Sequence, residues 1–164
     1  MITVTVDARK ALAKFSPSGI PEQVRSNLRR VIPDLTKRLG ANVEARLNTQ
    51  LQSRNRLKVD KLMREDSSRV IGQVTTVWTG ESSKSFIPQI LESGAKAHAI
   101  VAKNASALAF LWPKVGPGMF FFKQVWHPGF PGIWYMRDAF KEMETEIVSS
   151  MTEAVRKGAK DQAA

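Results

Sequence analysis

Eight apolar residues recur at steps of three and four: Val24, Leu28, Ile32, Leu35, Leu39, Val43, Leu47 and Leu51. Side chains three and four apart share one face of a helix, so this spacing draws a single long apolar stripe. A helix with such a stripe gains most of its stability from what it packs on. The stripe therefore demands a sheet or a second helix beneath it. Pro21 suits a helix start, where its missing N–H is no loss. Pro33 removes a donor from the preceding turn, so a kink or restart is expected near Ile32. Arg25, Arg29, Arg30, Lys37, Arg38 and Arg46 occupy the opposite face.

A second stripe closes the chain. Met136, Phe140, Met143, Ile147, Met151 and Ala154 keep the same steps and predict a helix over 134–157. Asp138 and Glu142 in its early turns, and Arg156 and Lys157 near its end, match the helix dipole. Residues 160–164 read as a frayed tail.

The remaining segments read mostly as extended chain. Ile2-Thr3-Val4-Thr5-Val6 alternates apolar and polar, the pattern of a strand at a sheet edge. A short helix is expected over residues 8–15, ended by Ser16-Pro17-Ser18-Gly19. Residues 52–68 are polar and mixed, a flexible connection in which Leu57, Val59 and Leu62 anchor a short helix. Residues 69–78 are rich in β-branched types and predict a strand. A short helix is expected over 82–93, interrupted or started by Pro88, with Gly94 as its C-cap, then an extended piece over 97–101. Residues 107–112 and 119–126 flank a turn with two Gly and two Pro in six residues. In that hairpin Leu108, Phe110 and Trp112 share one face, and Phe120, Phe122 and Trp126 another, while Phe121 points the opposite way. Most of these rings read as a buried sheet face. A ring left exposed near the turn would suit a subunit contact. The whole predicts one α+β domain over 1–164. Its small, mostly antiparallel sheet is packed with two long helices, N-terminal and C-terminal, and a short helix, with an extended aromatic β-hairpin.

Charge is unevenly spread. Residues 1–64 carry 14 Lys+Arg against 5 Asp+Glu, and residues 65–164 carry 11 against 10. Such asymmetry points to an acidic partner, protein or nucleic acid, or simply to a solvated helix face. Arg25, Arg29, Arg30, Lys37, Arg38, Arg54 and Arg56 are the candidate contacts. No helix-turn-helix spacing, zinc finger or aromatic RNA motif accompanies them, so base-specific reading is not expected.

Candidate chemistry is sparse. Cysteine is absent, which removes disulfides, thiolate metal sites and a cysteine nucleophile. His98 and His127 would need a third group such as Glu92 to hold zinc, and no metal or cofactor is expected. No Gly-x-x-x-x-Gly-Lys-Ser/Thr loop and no Gly-x-Ser-x-Gly elbow occurs. Glu142, Glu144 and Glu146 read as a helix charge run. The chain is expected to be no enzyme. No run of about 18 apolar residues predicts a membrane span. The N-terminal Met-Ile-Thr-Val-Thr-Val-Asp-Ala-Arg-Lys lacks a signal-peptide pattern, which predicts a protein made and used in the cytoplasm.

From residue 86 onward several motifs follow in order: Glu92-Ser93-Gly94, His98-Ala99-Ile100, Leu108-Ala109-Phe110, His127-Pro128-Gly129, then Met136 to Phe140 opening a long helix. This succession resembles the tail-completion and head–tail connection family of tailed bacteriophages, the minor tail or neck proteins. The resemblance covers about half the chain. Where the family often has Tyr-Ala before the acidic residue and Thr after the Gly, this chain has Phe86-Ile87-Pro88 and Gly94-Ala95. The resemblance implies a structural virion protein at the head–tail junction, forming a ring of six copies between the head connector and the tail tube. Its partners would be copies of itself and other neck and tail proteins (connector or stopper, terminator, tube), with DNA in the channel as a further contact. A tail-terminator ring protein or a non-specific DNA-binding protein are the alternatives. Glu92, Gly94, His98, Leu108, Phe110, His127, Pro128 and Gly129 then read as fold determinants. Ile2, Val4, Trp112, Phe120, Phe121, Phe122 and Trp126 are the expected subunit contacts.

Overall fold

A computed structural model describes residues 2–7, 21–51, 56–65, 69–111 and 115–163. The short helix expected over 8–15, Arg54 and Trp112 lie outside the described residues, as do the side chains of Ile2 and Val4. In order the elements are β1 (Ile2–Asp7), α1 (Glu22–Gln50), β2 (Leu57–Glu65), β3 (Val70–Trp78), a 3₁₀ turn (Ser82–Lys84) and α2 (Ile87–Ser93). Then come β4 (Gly94–Ala95), β5 (His98–Val101), β6 (Leu108–Leu111), β7 (Met119–Phe122), β8 (Gln124–His127), β9 (Phe130–Pro131) and α3 (Tyr135–Ala163). The class is α+β: helices with small antiparallel sheets. The chain divides into two compact units. One joins Met1–Glu92 to Ile133–Ala164; the other is Ser93–Gly132.

The first unit is built on α1. Every member of its stripe from Val24 to Leu47 is buried. A three-stranded antiparallel sheet, ordered β1-β3-β2, packs on it. β1 sits at the edge, paired from Ile2↔Thr76 to Asp7↔Ile71. Val70, Gly72, Val74 and Thr76 alternate along β3 and are buried. Gly72 is where sheet and helix come closest, since a Cβ there would run into Thr36 and Ile32. α3 lies along α1 and buries Tyr135, Met136, Ala139, Met143, Ile147, Met151 and Ala154. At its far end Gly158 meets the Val24 backbone, and a Cβ would sit 2.5 Å from Val24 Cα.

Three expectations are corrected here. α1 does not restart at Pro33. Arg29 and Pro33 both lie on the exposed face, so the carbonyl that loses its donor is open to water. Residues 57–65 form a strand rather than a short helix, paired with β3 from Leu57↔Trp78 to Glu65↔Val70. Its alternation is Leu57, Val59, Lys61, Met63. Lys61 lays its aliphatic stem over Gly40 and brings Nζ 2.9 Å from Glu44, so a charged residue occupies an inward position. The third concerns the tail: α3 continues to Ala163, since Lys157 to Ala163 contains one Gly and no Pro to stop it.

The second unit is one long antiparallel hairpin in two ladders. The proximal ladder runs from Gly94↔Pro131 and Ala95↔Phe130 to Val101↔Gln124 in a single register. The distal ladder pairs Leu108↔Phe122 through Leu111↔Met119. Between them residues 102–107 loop out opposite Lys123. The strand expected over 119–126 is therefore split at Lys123, and β8 pairs with β5. The bend also shifts the alternation by one. Phe120 and Phe122 face inward with Leu108 and Phe110, but after the bend Val125 and His127 do. Trp126 consequently points outward, 64% exposed, off the face assigned to it. Not one described residue of this unit is buried, so the rings form no buried sheet face.

Gly72→Ala should lower stability by about 1–3 kcal/mol, because neither Thr36 nor Ile32 has room to retreat. Gly40→Ala should be nearly neutral: Lys61 is a flexible stem, and alanine favours the helix. Urea midpoints of the two variants check this contrast.

Candidate functional site

The candidate site is the junction at which the chain leaves the first unit and returns to it. Its central group is Glu92, the only buried carboxylate among the described residues. The first turn of α3 leaves backbone N–H groups without helical partners. Glu92 takes two of them: Met136 N donates to Oε2 at 2.9 Å and Arg137 N to Oε1 at 2.9 Å. A negative charge there also meets the positive end of the helix dipole. The neighbouring backbone completes the clasp. Ile133 N donates to the Leu91 carbonyl at 2.8 Å, and Trp134 N to the Glu92 carbonyl at 3.1 Å. Trp134 is held at φ 52, a strained conformation for a bulky residue. The Arg137 guanidinium lies 4.2 Å from its ring centroid. Tyr135 is fully buried and donates from its hydroxyl to the Pro88 carbonyl at 3.2 Å. Burial pushes its phenol up to about 12; a Thr76 hydrogen bond opposes that shift and the Glu92 charge adds to it.

Within the hairpin unit, Gly94 (φ 79) and Gly129 (φ 77) take the left-handed turns that favour glycine. His98 and His127 are cross-strand partners with rings stacked at 5.1 Å. His98 Nδ1 donates to the Lys96 carbonyl at 2.8 Å, and the Gly129 N–H donates to His127 Nδ1 at 3.0 Å. The two tautomers are thereby opposite. His127, the residue before Pro128, ends strand β8 in the extended backbone that a following proline favours. Phe110 stacks on Phe122 at 5.6 Å, and Leu108 pairs with Phe122 across the ladder. Glu92 engages both carboxylate oxygens with backbone, and no group of three or more His, Asp or Glu able to hold a metal occurs among the described residues.

The basic face of α1 meets acidic partners within its own unit. Arg29 grips Glu65 of β2 through Nε (2.9 Å) and Nη2 (2.6 Å), and Glu22 through Nη1 at 2.8 Å. That hydrogen bonding holds the Glu65 carboxyl below its ordinary range. Arg25 lies 3.7 Å from both Glu22 and Glu65. Arg38 pairs with Glu146, and Arg46 with Glu142. The Asn42 hydrogen bond, with Arg46 beside it, holds the Glu142 carboxyl low as well. Arg30, Lys37 and Arg56 are exposed and make no ion pair among the described residues. An open groove of about 720 Å³ between α1 and α3 has Val31 and Leu35 on its floor and Arg30, Asp34, Glu153 and Lys157 around it. No described helix is long and apolar enough to cross a membrane. No protein-family model, no curated protein and no solved structure matches the chain.

Glu92→Ala should cost about 2–3 kcal/mol, since it strands one buried and one part-buried N–H group as well as removing a cap. Glu92→Gln, which keeps one acceptor, should cost less; chemical denaturation of both variants measures the difference. Tyr135 carries a pH signature. Its folded value exceeds the usual 10, so its contribution is complete below about pH 10 and fades as pH climbs toward 12. Tyr135→Phe should flatten that alkaline loss in urea titrations at pH 9 to 12.

Proposed function

We propose that this chain is a non-enzymatic structural protein of a tailed bacteriophage, forming a ring in the neck that completes the tail and joins it to the head. One observation carries this reading. The distal ladder exposes Leu111 (67%), Met119 (52%) and Phe121 (69%) on one side of a ribbon with no buried residue among those described. A two-stranded ribbon is marginal in water by itself. A contiguous apolar face of this kind is covered by another subunit. An interface in which this face meets a different patch on the next copy closes into a ring when the rotation closes.

The motif residues support the same reading. Glu92 caps a helix, Gly94 and Gly129 form turns, and His98 and His127 lock a ladder. Each acts on the shape of the hairpin or its junction, and none is arranged about a reacting centre. Phe121 and its outward neighbours fit the expected subunit contact, whereas Phe120 and Phe122 stiffen the ribbon from its inner side.

A tagged copy should label the head–tail junction of purified virions in negative stain, and its absence from the particle would overturn the proposal. Phe121→Asp combined with Leu111→Asp should keep the helical circular-dichroism spectrum but abolish ring assembly, as read by light scattering.

A further inference from the structure

We infer that the proximal ladder of the hairpin unit, with its flanking loop over 102–107, docks on the phosphate backbone of nucleic acid. The unit, residues 93–132, holds four lysines, two histidines and not one Asp, Glu or Arg. The other 124 residues carry 21 Lys+Arg against 15 Asp+Glu. The charge excess of residues 1–64 is the louder signal in the sequence, but Arg25, Arg29, Arg38 and Arg46 face carboxylates of their own unit. Lys96, Lys103 and Lys123 are exposed and make no ion pair among the described residues. Lys123 stands at the bend, and Lys103 lies in the loop opposite it, so two charges gather at one end of the ladder. Lys96 lies toward the other end, between β4 and β5.

The chemistry favours phosphates over an acidic protein. Lysine is a point charge on a flexible stem, a common phosphate binder that follows a repeating backbone without reading it. A ribbon free of carboxylates meets no repulsion anywhere along a polyanion. A two-stranded ribbon also has the width that a duplex major groove admits. Trp126, turned outward by the bend at Lys123, offers an exposed ring to a sugar or base. The distal ladder has no charged residue among those described, so phosphate docking and subunit contact use different halves of one hairpin. This surface binds nucleic acid whether or not a ring forms.

Anisotropy of a labelled 30-base-pair duplex with the full chain tests the assignment. Three neutralised phosphates give a slope of log K against log salt of about −2.7, so affinity should fall about 40-fold between 50 and 200 mM NaCl. Replacing Lys96, Lys103 and Lys123 together by Gln should remove that dependence, with melting by circular dichroism unchanged. Trp126→Ala should weaken binding several-fold without altering the slope. Arg30→Gln with Lys37→Gln on α1 should leave both affinity and slope as they were. No salt-dependent binding by the parent chain, unchanged binding by the triple variant, or loss of the slope in the α1 variant instead would each overturn the assignment.

Discussion

The Glu92 carboxylate fixes where α3 begins within the first unit. It is buried, it takes two of the free N–H groups in the first turn of α3, and it stands one residue before the chain enters the hairpin. Its energetic share, about 2–3 kcal/mol, is small beside the burial of the α1 and α3 stripes, where each large apolar side chain contributes roughly 1.5–3 kcal/mol. What it supplies is geometry. Core burial brings α1 and α3 together, but it does not fix where α3 begins. The cap does, and with the Leu91 and Glu92 carbonyls it fixes the return of the chain after 40 residues elsewhere. The strained φ of Trp134 persists because backbone bonds to Leu91 and Glu92, the Glu92 carboxylate bonds and the Arg137 contact converge on that turn.

The two units handle polarity in opposite ways. In the first, cations and carboxylates from different elements find each other: Arg29 with Glu65, Arg38 with Glu146, Arg46 with Glu142 and Lys61 with Glu44. These pairs are exposed and screened by solvent, so they add little to stability. Their larger consequence is that the basic face of α1 is largely compensated. In the hairpin Lys96, Lys103 and Lys123 make no ion pair among the described residues, and the Phe121 and Trp126 rings are exposed. Both ladders leave large apolar side chains exposed, while the described lysines lie in and beside the proximal one.

Much of the architecture is local, and was legible for that reason. Periodicity located both long helices and the β1 edge strand, β-branched composition located β3, and a Gly- and Pro-rich turn marked the aromatic hairpin, because all of these are properties of neighbours in sequence. Gly94 and Gly129 were also legible, since a turn in the left-handed region favours glycine wherever the chain goes next. The outward direction of Phe121 followed from its place between Phe120 and Phe122. Glu92 stood out only as part of a motif; nothing in its neighbours says that its partners are the N–H groups of residues 136 and 137.

What only tertiary structure decided were relations between distant residues. β2 escaped the period-two test because Lys61 occupies an inward position, made acceptable by Gly40 on a different element. Trp126 changed faces because a single bend at Lys123 shifts every later residue by one. Gly72 and Gly158 are ordinary glycines until the helix that touches each is known. The fate of the arginines depended on carboxylates up to 108 residues away. A sequence determines which faces a segment has, through bonds and sterics between near neighbours. Which face is covered, and by what, depends on the packing of the whole chain, where a charge can be neutralised and a small residue can become a point of contact.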